Sequence, residues 1–311
     1  MSLRVIETWR GLDAADKGAS VAIGAFDGVH RGHQAVIAGA ASGARALGAP
    51  LGVVTFDPHP RRWFAPDAPS FRLMTPDQQN RALDDLGVDL LYRLPFNGEM
   101  VAMSAEDFVR QVLVEGLGAA HVSVGPDFTY GKGRSGTVEA LTAFGKEFGF
   151  GVSVAPLLFD EGEKCASTSI RAALQAGKPE RAARLLGRPY AIEGVVVHGD
   201  HLGRKIGFPT ANVSLEDYIR LEHGIYAART RLADGREIPG VAYIGNRPTV
   251  NGADERLEVN LFDFDEDLYG QTLETDLVAF IRGDEKFDGL EALTAQIAKD
   301  CAEARRILLP E

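Results

Sequence analysis

The sequence predicts an α/β domain with a parallel sheet, followed by a mainly antiparallel β-barrel domain with a C-terminal helix. Two observations carry this prediction. Up to about residue 185, short apolar runs alternate with helix-forming stretches, the pattern of a parallel sheet with right-handed crossovers. Beyond that point strand-like runs follow one another across short turns, and one amphipathic helix closes the chain. At 311 residues the chain is long enough for two cores. The boundary is drawn between residues 184 and 185, giving domains 1–184 and 185–311.

In the first half, Val21–Phe26, Leu51–Phe56, Leu90–Leu94, His121–Gly125 and Val152–Leu157 are strands on their Val, Leu and Ile content. Gln34–Leu47, Pro76–Leu86, Ala105–Glu115 and Val138–Phe148 are the intervening helices. Ile170–Leu186 is one further helical segment ending at Gly187-Arg188-Pro189. In the second half, Ala191–His198, Gly224–Leu232, Ile238–Ile244, Leu257–Phe262 and Thr272–Ile281 alternate with period two. Turns are expected at Ala233-Asp234-Gly235 and Asn251-Gly252. Leu290–Leu309 is the closing helix, with Leu290, Leu293, Ile297, Cys301 and Ala304 on its apolar face.

Composition narrows the function classes. The formal charge of −11 argues against a general nucleic-acid surface, which is usually basic. Arg31, Arg61, Arg62, Lys132, Arg134 and Arg171 stand out against that background and suit a small anionic ligand. No apolar run approaches the length of a membrane span. MSLRVIETWRGL lacks the apolar core of a secretory signal, and Cys165 and Cys301 are far apart in sequence. A cytoplasmic protein with no nucleic-acid or membrane partner is expected; a weak homo-oligomer stays open.

The polar motifs sit where a parallel sheet binds ligands, beyond the carboxyl ends of its strands. GAFDGVHRGH (Gly24–His33) follows the first of the expected strands and runs into a helix start. There, free backbone N–H groups and the helix dipole favour phosphate, and His30 and His33 can donate to charge that builds in a transition state. TFDPHP (Thr55–Pro60) follows the second strand and GPDFTYGKGRSG (Gly125–Gly136) the fourth. No G-x-G-x-x-G follows the first strand. Gly125–Lys132 has one residue too many for a Walker A loop, and Gly133 stands where Ser or Thr belongs.

These three motifs, in this order and with STSIR (Ser167–Arg171), resemble the FMN adenylyltransferase module of prokaryotic bifunctional riboflavin kinase/FAD synthetases. That module belongs to the Rossmann-like HxGH nucleotidyltransferase superfamily. The resemblance implies attack of the FMN phosphate on the α-phosphorus of ATP, giving FAD and pyrophosphate. It places His30 and His33 on the reacting phosphates and Arg171 on the ATP phosphates. It also implies a nucleotide site of Gly24, Phe26, Asp27, Gly28, Ser167 and Thr168, and a flavin or nucleotide pocket of His59, Asp127, Phe128 and Tyr130. Asp27 and His59 either shape that site or serve the fold, and the two aromatics either stack on a ligand or fill the core. Two residues depart from the family: Tyr130 stands where Phe is usual, and Ala166 replaces the first serine of a common S-S-T.

The second half carries GVVVHGDHLGRKIGFPTANV (Gly194–Val213). Gly199, Gly203 and Gly207 suggest a loop whose N–H groups wrap phosphates. Thr210 and Asn212 share a side of an extended chain and could reach one hard cation, or make ordinary turn hydrogen bonds. With GIYAART, GVAYIGNRPTV, LEVNLFDFDEDLYG and IRGDEKFDGLEAL, this half resembles the flavokinase domain. The resemblance implies that the P-T-A-N run binds Mg·ATP, making Thr210 and Asn212 the Mg2+ residues. It makes Glu258 the base for the ribityl 5′-hydroxyl of riboflavin, which needs one at neutral pH. Asn260 stands where many relatives carry His, so an altered hydrogen bond beside the base is expected. Two other readings stay open: an adenylyltransferase for another acceptor with a degenerate barrel, and a flavin carrier without chemistry.

Overall fold

The computed structural model describes residues 3–199, 203, 206–249 and 252–309. The chain divides into two compact units, Met1–Ala68 with Pro76–Cys165 and Pro69–Thr75 with Ala166–Glu311.

The first unit holds β1 (Arg4–Ile6), β2 (Ser20–Ile23), α1 (Arg31–Leu47), β3 (Leu51–Asp57), α2 (Pro60–Phe64), α3 (Pro76–Asp85) and β4 (Leu90–Pro95). After them come α4 (Gly98–Ala102), α5 (Ala105–Asp107), β5 (His121–Val124), α6 (Val138–Phe148), β6 (Gly151–Val154) and the short pair β7 (Phe159–Asp160) and β8 (Glu163–Lys164). Six strands form one parallel sheet in the order β1-β4-β3-β2-β5-β6. Every residue of β2 is buried. Such strands are covered on both faces and therefore read as unbroken apolar runs. Chain order reverses at β2, with β3 on one side and β5 on the other. The loops after β2 and β5 thus flank the switch point where such sheets bind ligands.

Two helices differ from expectation. The helix expected over Ala105–Glu115 is α-helical only to Asp107 and is wound as a π-helix over Phe108–Gly116. Its buried residues recur at intervals of four (Phe108, Val112, Gly116; Val109, Leu113), a spacing that does not separate the two windings. The segment Ile170–Leu186 is two helices, α7 (Ser167–Gln175) and α8 (Pro179–Leu186). Gly177 at φ +65° turns the chain, and Pro179 can only start a new helix.

The second unit is built on a closed antiparallel barrel of β9 (Tyr190–Val197), β10 (Ala211–Ser214), β11 (Gly224–Arg231), β12 (Glu237–Thr249), β13 (Gly252–Leu261) and β14 (Thr272–Gly283). Its order is β10-β13-β12-β11-β14-β9, closing on β10. Gly235 turns between β11 and β12 at φ +89°. The expected turn at Asn251-Gly252 involves Asn251, which lies outside the described residues; Gly252 opens β13.

The closing helix, α9 (Leu290–Leu308), packs Ala304 and Leu308 against Ala227, Val241 and Phe262. Leu290, expected on its apolar face, is exposed at the helix start, whereas Leu293 and Ile297 line a barrel cavity and Cys301 packs with Ala304. Asp300 is buried on that face and receives a two-pronged pair from Arg282 at 2.7 and 2.9 Å. Breaking such a pair from one side would strand a buried charge. Residues 69–75 belong to this unit as well: the Arg72 backbone bonds to Asp217 and Ile219, and Phe71 is fully buried.

Asp276 of β14 gives the barrel a pH-dependent term. Burial, opposed in part by the Arg231 guanidinium, pushes its carboxyl up to about 6 from an ordinary value of 3.8. Between about pH 4 and pH 6 the folded state therefore holds a proton that the unfolded state has lost, so stability falls as pH rises through this window. Full burial would make the loss about 3 kcal/mol, and partial solvent screening reduces it to about 1–2 kcal/mol. Asp276→Asn should raise the unfolding midpoint in denaturant titrations at about pH 7.5 and leave it unchanged near pH 4. Parallel titration curves for the two proteins would refute the assignment.

Candidate active sites

In the first unit, the turn between β2 and α1 is tightly determined. Phe26 and Val29 take φ of +50° and +40° and are fully buried. Such conformations cost non-glycine residues about 1–3 kcal/mol each and persist only where packing enforces them. Gly28 shares the turn at φ +92°, Asp27 is buried, and Gly24 packs on the Phe26 ring.

His30 is the N-cap of α1, earlier than the expected helix start at Gln34. Its Nδ1 accepts the His33 backbone N–H at 3.2 Å. The neutral ring therefore carries its proton on Nε2. The two imidazoles stack with centroids 3.6 Å apart and planes at 19°, and Phe26 packs edge-on to His33 at 5.1 Å. Between the histidines only glycine fits. A Cβ on Gly32 would lie 2.5 Å from the Cys165 carbonyl and 3.1 Å from the His30 ring.

A feature the sequence reading missed braces this region. The hairpin of β7 and β8 turns through Glu161 and Gly162, both at positive φ, as a two-residue type I′ turn requires. Asp160 pairs with Arg31 at 3.0 Å and Lys164 with Asp127 at 2.6 Å. The Lys164 hydrogen bond holds the Asp127 carboxyl below its usual range. The hairpin thus ties the loop after β5 to the start of α1. Asp-Glu-Gly-Glu was the available turn signal, but each strand is too short to show a period.

Of the pocket candidates, His59 caps α2 by accepting the Arg61 N–H at 3.0 Å. Tyr130 is buried in the core against Phe108, its hydroxyl pushed up to about 12 by burial, whereas Phe128 stacks on it and stays partly exposed. Trp63 and Phe64, which the motifs did not single out, are exposed and meet the Phe96 ring edge-on just beyond β4.

Ser167, Thr168 and Arg171 belong to the other compact unit. Ala166 is the N-cap of α7 and supplies no side-chain acceptor, the consequence of its departure from serine. The Arg171 Nε donates to the Phe71 carbonyl at 2.7 Å, with its guanidinium 5.5 Å over the Phe71 ring.

The barrel holds a second site. A cavity of about 600 Å³ is lined by Gly203, Thr210, Tyr243, Glu258, Asn260 and Arg282, with Leu293 and Ile297 from α9. Asn212, Glu258 and Tyr243 are register partners across β10, β13 and β12. Directly paired residues share a face, so the three form one row. Asn212 is buried, and its amide N–H2 donates to the Thr210 carbonyl at 3.4 Å, which leaves its oxygen for a ligand. The loop glycines act by closeness: a Cβ on Gly199 would lie 2.7 Å from the Asn212 amide, and one on Gly203 would run into the Phe208 carbonyl. Gly207 turns at φ +88°. Tyr243 is the residue that sequence reasoning missed, its hydroxyl pushed up to about 12 by burial and by Asp284 and Glu258. A smaller cavity of about 430 Å³ also borders Thr210, with Phe264, Leu268 and Tyr269 among its walls.

A helix start capped by one of two stacked histidines at a sheet switch point, and a carboxylate facing a P-T-A-N strand in a separate barrel, are the two candidate sites of the chain. Family models match in the same order: FAD synthetase over residues 12–169 and riboflavin kinase over residues 186–308. The chain is 40% identical over 292 residues to the bifunctional riboflavin kinase/FMN adenylyltransferase of Escherichia coli K12, covering 94% of this chain and 93% of that one. It is 40% identical to the Pseudomonas fluorescens protein of the same name, with 99% of each chain covered. A crystal structure described as a macrolide-efflux protein from Streptococcus pneumoniae superposes with a TM-score of 0.87 at 32% identity, over 98% of this chain and 99% of that one. The chain belongs to the bifunctional riboflavin kinase/FMN adenylyltransferase family.

Proposed function

We infer that this chain phosphorylates riboflavin with ATP to FMN and then adenylylates FMN with a second ATP to FAD, releasing pyrophosphate. The observation that carries the reading is Glu258 directly across the strand pair from Asn212 in a cavity roomy enough for a flavin. A degenerate barrel would have no reason to keep that row, and a flavin carrier would need neither it nor the paired histidines.

In the barrel, the riboflavin 5′-hydroxyl oxygen attacks the γ-phosphorus of ATP as its proton passes to Glu258. The bond from that phosphorus to the bridging oxygen breaks, and ADP leaves. Thr210 borders both cavities, which suits a phosphoryl group crossing between acceptor and nucleotide. The Thr210 hydroxyl and the Asn212 amide oxygen are hard neutral donors, fitted to Mg2+ that keeps most of its ligands from water and phosphate. Mg2+ held there would neutralise charge on the nucleotide phosphates. Among the described residues no cluster of three or more His, Cys, Asp or Glu forms a separate metal cage.

In the first unit, the FMN phosphate is already ionised and needs no base. Positioning and charge neutralisation suffice. His30 donates through Nε2 and His33 acts beside it at the α1 N-terminus, while an FMN oxygen attacks the α-phosphorus and pyrophosphate departs. Arg171, with Ser167 and Thr168 beside it at the start of α7, is assigned to ATP phosphates by the resemblance alone. Asp127 and Phe128 border the flavin or nucleotide. We assign adenylylation to residues 1–184 and phosphorylation to 185–311, in the cytoplasm, where a protein with two distant cysteines is at home. Its partners are small molecules: ATP, riboflavin and FMN. Among the described residues no helix is long and apolar enough to cross a membrane.

A chromatographic time course of the purified protein with riboflavin and Mg·ATP tests the reading. Riboflavin should fall, FMN rise and then decline, and FAD accumulate. FMN as the end product would refute the second activity, and unchanged riboflavin the first.

A further inference from the structure

We propose that Asn260 is a positioning residue of the kinase site, holding the P-T-A-N turn in register with Glu258. The proposal rests on the assignment of riboflavin phosphorylation to the barrel cavity. Asn260 and Glu258 are two apart on β13, hence on one face of the strand, and both line the cavity. The β10–β13 ladder ends at the pair Ala211 and Val259, so Thr210 and Pro209 lie just beyond its last rung. Pro209 has no N–H and cannot extend the ladder as a donor. Its carbonyl is taken instead by the Asn260 amide, at 2.7 Å.

That bond replaces the missing rung. It fixes the residue immediately before Thr210 to the residue two after Glu258, and so limits how far the Thr210 hydroxyl can drift from the base. The rest of the turn is held on its other flank, where Gly203 packs on the Phe208 carbonyl. A small displacement between groups that must act together costs rate far more than it costs folding. The task needs a donor at this position; a carboxylate of the same shape would instead set negative charge against the Pro209 carbonyl.

The test compares Asn260→Ala, Asn260→Asp and Asn260→His in the full chain, with adenylylation of supplied FMN measured on the same preparations. Asn260→Ala should lower kcat/KM for Mg·ATP in riboflavin phosphorylation about tenfold or more, with KM for riboflavin within about twofold of the parent. Asn260→Asp should lose at least as much at neutral pH, because an ionised carboxylate cannot donate to the Pro209 carbonyl. Asn260→His, which keeps an N–H donor, should restore most of the activity. Parent-like kinetics in both Asn260→Ala and Asn260→Asp would overturn the proposal, as would an equal fall in FMN adenylylation. Glu258→Gln is run alongside: full phosphorylation by that variant would overturn the site assignment itself, whatever the Asn260 variants do.

Discussion

Glu258→Gln should lower riboflavin phosphorylation by about 10²–10⁴-fold in kcat, the range a positioned general base contributes. Glutamine keeps the shape and the place in the row between Asn212 and Tyr243, so the cavity and the barrel should stay intact. What it cannot do is accept the proton of an alcohol that is essentially un-ionised at pH 7. KM for Mg·ATP should therefore change little, which separates this variant from the turn-displacing changes at Asn260. Adenylylation of supplied FMN should remain within about twofold of the parent, because its acceptor arrives already charged. If both activities fell together, or if more than about a tenth of the kinase rate survived, Glu258 would not be the base.

The parallel sheet was readable in the sequence because strands buried on both faces are largely apolar runs; β2 and β3 begin where those runs begin, give or take a residue. The α1 segment was readable for a related reason, its apolar residues meeting the helical period from Val36 to Ala44. β10 was not, because Ala-Asn-Val-Ser after a proline carries neither alternation nor length, and only pairing on both sides makes it a strand. Arg282 and Asp300 could not be matched from sequence, since a local pattern does not specify which distant charges meet. The membership of residues 69–75 in the second unit escaped for the same reason.

At the sites, residue types were legible and their relations were not. GAFDGVHRGH marked a candidate site, yet the stacking of His30 on His33 and the capping of α1 by His30 depend on side-chain geometry. Likewise, the departure at Asn260 was visible, but its bond to Pro209 follows from the register of β10 against β13. Register is set by tertiary pairing, and a slip of one residue would turn Glu258 to the other face.

His30→Ala combined with His33→Ala should let FMN accumulate without FAD, with adenylylation reduced about 10³-fold or more, since one preorganised donor to a developing oxyanion is worth about 10²–10³. Riboflavin phosphorylation, measured in the same reaction, should stay within about twofold and shows that the barrel unit is folded. The two single substitutions should not multiply to the double effect. The rings are stacked, and His30 also caps the helix through the His33 N–H, so removing His30 disturbs His33 directly. Capping alone is worth about 1 kcal/mol and could be mistaken for catalysis. His30→Asn separates the two, because asparagine is a good N-cap yet places no imidazole over His33. A His30→Asn variant that loses FAD synthesis while keeping its unfolding midpoint assigns the ring to the reacting phosphates. One that makes FAD at the parent rate reduces His30 to a helix cap, and unchanged FAD output from the double variant would remove the basis for placing adenylylation at this helix start.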